Sequence, residues 1–208
     1  MKEIAKDLLK IQAVKLSPNE PFTWASGIKS PIYCDNRLTI SYPKIRTAIA
    51  KGIAELISEK YPKVEVIAGT ATAGIPHAAW IAAELDLPLV YVRSKPKDHG
   101  RGKQIEGVLH PGAKTVVIDD LLSTGGSVLK AVKAAQNEGA DVLGVGAIFS
   151  YQLQAIVDNF RQADLSYFTL TNYSELLEVA VETNYISTTE RAALEKWRHD
   201  PENWSAKA

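Results

Sequence analysis

Apolar residues recur at helical spacing in the first stretch of the chain, MKEIAKDLLKIQAVKL. Ile4, Leu8 and Ile11 share one face, and lysines and acids fill the rest. This predicts an amphipathic helix, and the lysines and acids break any uninterrupted apolar run of the kind a secretory signal needs. The same period returns over residues 41–61, at Ile45, Ile49, Ile53 and Ile57, with Ser41 placed to cap a helix. The pattern then changes. VEVIAG (64–69), LPLVYV (87–92), TVVIDD (115–120), DVLGVGAIFS (141–150) and DLSYFTL (164–170) are short apolar runs that read as strands. GIPHAAWIAAEL (74–85) is helical, with Pro76 in its first turn. A further helix runs from near Gly126 to Glu138 and stops at Gly139, where a left-handed residue costs least. Two helices close the chain, the last opening at Ser187-Thr188-Thr189-Glu190, a capping-box pattern.

Strand and helix alternate through the middle, and the strands lack polar alternation. That combination predicts a parallel sheet covered on both faces, with ligands beyond the carboxyl ends of its strands. VVIDD ends at that edge, as does VIAGTATAG (66–74), whose small residues leave backbone groups accessible. No repeat, low-complexity tract or linker divides the 208 residues, so one domain is expected.

Composition adds exclusions. Twenty-four basic and twenty-four acidic residues cancel, so no overall field recruits nucleic acid or a membrane surface. No stretch approaches the roughly 18 apolar residues of a membrane span. The single cysteine, Cys34, fits a reducing, cytoplasmic setting and reads as a half-buried small hydrophobe.

The candidate chemistry lies in residues 116–128, VVIDDLLSTGGSV. Asp119 and Asp120 sit side by side at the end of an apolar run, and Ser123-Thr124-Gly125-Gly126-Ser127 follow with no bulky side chain. This is neither a P-loop nor, at Gly144-Val145-Gly146, a full dinucleotide fingerprint. Between a strand and a helix, successive N–H groups and the helix dipole favour a phosphate. Gly125 and Gly126 allow close approach, while Ser123, Thr124 and Ser127 offer hydroxyls. Carboxylates repel phosphate, so the acids should meet hydroxyls or metal-bound water. A phosphate followed by a diol describes a ribose 5-phosphate. A second feature is basic: residues 93–103 hold Arg93, Lys95, Lys97, Arg101 and Lys103 against Asp98 alone, and Gly100 and Gly102 suit a lid over a polyanion.

Residues 116–128 resemble the phosphoribosyl pyrophosphate-binding signature of the type I phosphoribosyltransferases. FTWASGIKSPIYCDNR (22–37) and YVRSKPKDHGRGKQIEG (91–107) are similar to segments of the short bacterial orotate phosphoribosyltransferases, and the similarity spans most of residues 20–150. The resemblance implies an α/β fold of the type I phosphoribosyltransferase kind: a central, mainly parallel sheet flanked by helices. It also implies a small hood made by residues 1–40 and C-terminal segments. The implied reaction moves ribose 5-phosphate from phosphoribosyl pyrophosphate to N1 of orotate, forming orotidine 5′-monophosphate, with inversion at the anomeric carbon. By position, Asp119 and Asp120 would hold the ribose hydroxyls and residues 123–127 the 5-phosphate, with Leu121 and Leu122 in the same phosphoribosyl pyrophosphate-binding stretch. Ser123 would also touch orotate. Arg93, Lys97 and His99 match positions that grip pyrophosphate, partly from a neighbouring subunit of a homodimer with shared sites.

Mg²⁺ is expected to be held mainly by phosphate oxygens and water, without direct protein ligands. Ala25, Ala73, Ser94 and Tyr151 stand where many relatives carry cations, which leaves Lys29 and Arg37 as candidate contacts for an anionic base. His77 reads as a packing histidine and His110 and His199 as surface residues. Two other readings stay open. One is a purine or uracil phosphoribosyltransferase, since the phosphate turn does not read the base. The other is a non-catalytic sensor of phosphoribosyl pyrophosphate, which should carry a basic nucleic-acid-binding domain that the neutral chain lacks.

Overall fold

The protein is described by a computed structural model covering residues 2–24, 27–95 and 104–204. Its centre is a six-stranded sheet in the order β10-β9-β8-β5-β6-β7. The strands are β5 (Val66–Thr70), β6 (Leu89–Val92), β7 (Ile105–Glu106), β8 (Lys114–Leu122), β9 (Asp141–Ser150) and β10 (Tyr167–Asn172). All neighbouring pairs are parallel except β6 with β7, which closes one edge antiparallel. The expected parallel sheet is therefore present, and its strands are as fully apolar as burial on both faces requires: all five residues of β5 are buried. One face carries the core of α2 (Pro43–Lys60) and α3 (Gly74–Leu85), including Ile49, Ile53, Ile81 and Ile118. The other carries the core of α4 (Gly126–Asn137) and α5 (Gln154–Gln162), including Val117, Val128, Val145 and Phe160.

The strand order places the site. The chain runs from β5 outward to β6 and returns to β8 on the other side of β5. Helices leaving β5 and β8 thus depart to opposite faces and leave a crevice beyond those two carboxyl ends. Thr70 ends β5 at this crevice, and Asp119 and Asp120 lie in β8 beside it. Gly74 makes the close approach possible. A Cβ there would lie 2.5 Å from the Ile118 carbonyl oxygen and 2.5 Å from Thr70 Oγ1, so α3 can start against the end of β8 only without a side chain.

Several expected boundaries move. The first helix, α1 (Lys2–Lys10), ends early, because Gln12 turns left-handed at φ 59° and β1 (Val14–Leu16) pairs antiparallel with β4 (Ile32–Cys34). Ser41 does not cap α2. It ends a 3₁₀ turn over Asn36–Ser41, and α2 starts at Pro43, whose ring presets the first helical φ and keeps Tyr42 extended. β8 continues two residues past the acids, to Leu122, and the last strand is Tyr167–Asn172. Helix α5, between β9 and β10, was not anticipated, whereas the two helices expected to close the chain are present as α6 (Tyr173–Glu182) and α7 (Thr188–His199). The α7 capping box is present, with Ser187 and Glu190 bonding each other's backbone N–H groups. Gly139 follows α4 at φ 94°.

A second short hairpin, β2 (Phe22–Thr23) with β3 (Lys29–Ser30), joins β1 and β4 above the carboxyl edge of the sheet. An aromatic cluster ties it down. Trp24 packs on Tyr151 at 5.2 Å and on Trp197 at 5.6 Å between ring centroids. Cys34 is buried outright rather than half-buried, and burial pushes its thiol pKa up.

Candidate active site

The acid pair is held from both sides. Thr70 donates its hydroxyl to Asp119 Oδ1 at 2.7 Å, with the Ile118 carbonyl as a second acceptor at 3.2 Å. The Asp120 backbone N–H donates to the same Asp119 oxygen at 2.9 Å. From the N-terminal side, the fully buried Asn36 donates Nδ2–H to the Asp120 carbonyl at 2.7 Å. These bonds fix the backbone and one carboxylate, and none of them neutralises the second. Burial, then the charges of Asp119 and Asp35, push the Asp120 carboxyl up to about 7. Burial also raises Asp119, against the lowering effect of the Thr70 hydroxyl. Two half-buried carboxylates this close resist joint ionisation, so the pair favours ligands that bring O–H donors or positive charge.

The small-residue turn follows at once. Gly125 takes φ 82°, a left-handed conformation that closes the turn ahead of α4. It is also packed from behind. A Cβ on Gly125 would meet Phe160 Cε2 at 2.7 Å, so this glycine makes room for α5 behind the turn. Gly126 has the open side: a Cβ there would touch only Thr124 Oγ1, at 3.8 Å. Asn159 of α5 donates Nδ2–H to the Thr124 carbonyl at 2.9 Å and so braces the turn from the rear. The first N–H groups of α4 have no intrahelical acceptor, so the front of the turn presents donors to an anion. Thr124, Gly126 and Ser127 are exposed there.

Two depressions flank this centre. A cleft of about 280 Å³ is lined by Thr23, Trp24, Tyr33, Cys34, Leu121, Ser123 and Tyr151. Trp24, Tyr33 and Tyr151 give this slot aromatic walls, which suit a flat ring. On the other side a smaller depression of about 90 Å³ includes Thr70, Ala71, Arg93, Ser127 and Lys130. Ser123 and Ser127, at the two ends of the turn, open onto different depressions. The peptide bond between Ala71 and Thr72, beside the smaller one, is cis.

The structure thus brings together Asp119, Asp120 and residues 121–127, with Arg93 across the smaller depression. Arg93 Nη1 lies 3.4 Å from Glu106 Oε1, and its backbone is pinned to Gln104 in both directions, at 2.8 and 2.7 Å. Leu122 is buried, and its carbonyl accepts from the Tyr151 N–H at 3.2 Å. Lys29 donates to Thr23 Oγ1 at 2.6 Å across the hairpin. Arg37 is bound through two nitrogens to Asp35, at 2.6 and 2.8 Å, and holds that carboxyl below its usual range. Lys97 and His99 lie outside the described residues. His77 is a packing histidine as expected: it is buried in α3, Nε2 is 3.4 Å from Thr39 Oγ1, and desolvation lowers its pKa to about 4. Thr70, Asn36, Lys130 and Asn159 were not singled out from the sequence. Thr70 alone left a trace there, as a hydroxyl ending an apolar strand.

An acid pair and an anion-binding turn at the switch point of a parallel sheet are the parts of a phosphoribosyltransferase, and a family model for the phosphoribosyl transferase domain matches residues 41–175. The chain is 63% identical to the orotate phosphoribosyltransferase of Enterococcus faecalis, over 98% of this chain and 97% of that one. It superposes on the crystal structure of orotate phosphoribosyltransferase from Aeropyrum pernix with a TM-score of 0.75 at 25% identity, covering 88% of this chain and 99% of that one. Leishmania donovani UMP synthase gives a TM-score of 0.81 at 27% identity. There 95% of this chain is covered, and this chain spans 42% of that longer one. The chain belongs to the phosphoribosyltransferase family and, within it, to the orotate phosphoribosyltransferases.

Proposed function

We infer that the protein transfers ribose 5-phosphate from phosphoribosyl pyrophosphate to N1 of orotate, forming orotidine 5′-monophosphate and releasing pyrophosphate in pyrimidine biosynthesis. One observation carries the assignment of parts: the acid pair sits between an aromatic slot and a small cationic depression, with the phosphate turn spanning the two. A ligand laid across them has its base in the slot, its ribose on the acids and its diphosphate near Arg93. Residues 123–127 hold the 5-phosphate, with the backbone at Leu121 and Leu122 leading into the turn. Ser123 faces the base. The N-terminal strands and α7 form the hood over this slot.

Asp119 and Asp120 accept the ribose hydroxyls and fix the sugar beside the bond that breaks. Their charge lies near the anomeric carbon, where positive charge develops as pyrophosphate departs, and this stabilises the transition state more than the ground state. Their oxygen-only donor set suits a hard cation's bound waters. Among the described residues no cluster of three or more His, Cys, Asp or Glu side chains is placed to chelate a metal. Mg²⁺ would be held mainly by the diphosphate oxygens and water. When bound, the ion supplies charge neutralisation of the leaving group. Arg93 adds a fixed cation on the same side, and Lys97 and His99 of a neighbouring subunit complete the grip in a homodimer.

The direct test supplies phosphoribosyl pyrophosphate and Mg²⁺ with orotate, uracil, adenine or hypoxanthine in turn. Orotidine 5′-monophosphate from orotate alone is the expected result. Nucleotide from another base would reassign the slot. No nucleotide from any base, with salt-dependent DNA binding, would replace the enzyme with a sensor.

A further inference from the structure

Trp197 lies near the end of the chain, in α7, yet its surroundings belong to the aromatic slot. It is fully buried. Its indole Nε1–H donates to the backbone carbonyl of Lys29 at 3.1 Å, a bond between residues 168 positions apart. Its ring meets Trp24 edge-on at 5.6 Å and Tyr151 at 6.0 Å, and both of these line the slot. The hairpin that carries Trp24 has only two residues per strand. So short a ribbon does not hold its own position in water and takes it from what it packs on. Trp24 Nε1–H donates to the Ile32 carbonyl at 3.3 Å, which ties the hairpin to β4, and Trp197 supplies the second tie.

Helix α7 is itself anchored. Tyr173 donates its hydroxyl to the Leu194 carbonyl at 2.9 Å. Arg198 donates to Ser174 Oγ at 2.7 Å and to Gln152 Oε1 at 3.2 Å. Gln152 directly follows Tyr151, so α7 is braced on the segment that carries one slot wall and reaches across to the hairpin that carries another. A buried indole whose one donor is spent on a hairpin carbonyl fixes that hairpin in both distance and direction.

We propose that Trp197 is a positioning residue for the base slot: through its Lys29 carbonyl bond and its edge-on contacts with Trp24 and Tyr151, it sets the slot width without touching substrate. This rests on the reading that the slot takes the base. The phosphate turn and acid pair are built on β5, β8, α4 and α5 and contact α7 nowhere in this network, so the effect should be confined to one substrate.

The test is Trp197→Phe, which keeps an aromatic ring and removes the donor. The KM for orotate should rise about five- to tenfold, while the KM for phosphoribosyl pyrophosphate stays within about twofold. Arg198→Met loosens α7 from outside the core and should shift the orotate KM the same way, by about twofold, which keeps the proposal testable if Trp197→Phe does not fold. Tyr33→Ala, which strips a slot wall directly, separates the two levels of inference. If Tyr33→Ala raises the orotate KM and neither α7 variant does, the positioning role is wrong and the slot assignment stands. If Tyr33→Ala also leaves orotate KM unchanged, the slot assignment itself falls. Equal rises in both KM values for the α7 variants, with a lowered melting temperature, would mean that Trp197 only supports the fold and would overturn the proposal.

Discussion

Replacing Asp120 with Asn removes one of two adjacent charges and keeps the side chain's shape. In the folded protein the Asp120 carboxyl is pushed up from an ordinary 3.8 to about 7, by burial first and by Asp119 and Asp35 after it. The unfolded chain releases that proton near 3.8, so across the interval up to about 7 folding takes up a proton. The group's contribution to stability is full below 3.8 and is lost as pH rises through about 7. The rise of about three pH units, at about 1.4 kcal/mol each, sets a ceiling of about 4 kcal/mol. Water reaching a half-buried carboxylate reduces this to about 2 kcal/mol. Each kcal/mol moves the midpoint of a chain of this size by about 2–4 °C, so Asp120→Asn should melt about 4–8 °C above wild type at pH 8. At pH 5 the wild-type folded state keeps its proton, and the gain should shrink to about a third of that. Thermal melts without ligand, at both pH values, make the measurement, with turnover falling in the same variant. A gain equal at pH 5 and pH 8, or a loss at pH 8, would refute the reading of Asp120 as a carboxyl that burial and its neighbours raise to about 7.

The two turn glycines should separate. Gly125→Ala meets Phe160 in a left-handed backbone and should cost about 2 kcal/mol of stability, whereas Gly126→Ala should leave the melting point within about 2 °C and weaken phosphoribosyl pyrophosphate binding about tenfold by calorimetry. Thr70→Val removes the 2.7 Å bond to Asp119 and should lower turnover about tenfold, with Thr70→Ser restoring most of it; equal activity in all three would remove Thr70 from the site. For the shared-site reading, an Asp119→Asn/Asp120→Asn protein mixed with Lys97→Ala, once subunits exchange, should regain part of the activity that each lacks alone. A mixture that exchanges and stays inactive would confine Lys97 to its own chain's site.

The sheet was legible because burial on both faces makes each strand an uninterrupted apolar run, and the acid pair and turn were legible because they are contiguous in sequence. What escaped was built from distant contacts. Asn36, in a 3₁₀ turn, reaches Asp120 across 84 positions, and nothing local marks it. The packing constraint on Gly125 went unread because its neighbour Phe160 comes from α5, a helix whose apolar face rests on few residues, with Ile156 and Phe160 buried. The two-residue strands of the N-terminal hairpin are too short to leave a period. Lys29 and Arg37 were read as candidate contacts for an anionic base, and their own partners, Thr23 and Asp35, were not visible in the sequence.

The brace behind the phosphate turn has a consequence for how such an enzyme can change. Asn159 and Phe160 support the turn from the rear, on a part of the chain that contributes nothing to the aromatic slot. The slot's aromatic walls come from Trp24, Tyr33 and Tyr151, on other segments, and its lining shares Leu121 and Ser123 with the acid-and-turn segment. Mutation of the aromatic walls can therefore explore new ring shapes while the sugar-phosphate grip is inherited unaltered. The converse does not hold: a change in Phe160 alters the one conformation Gly125 must adopt, and every substrate sharing that phosphate handle loses its hold at once.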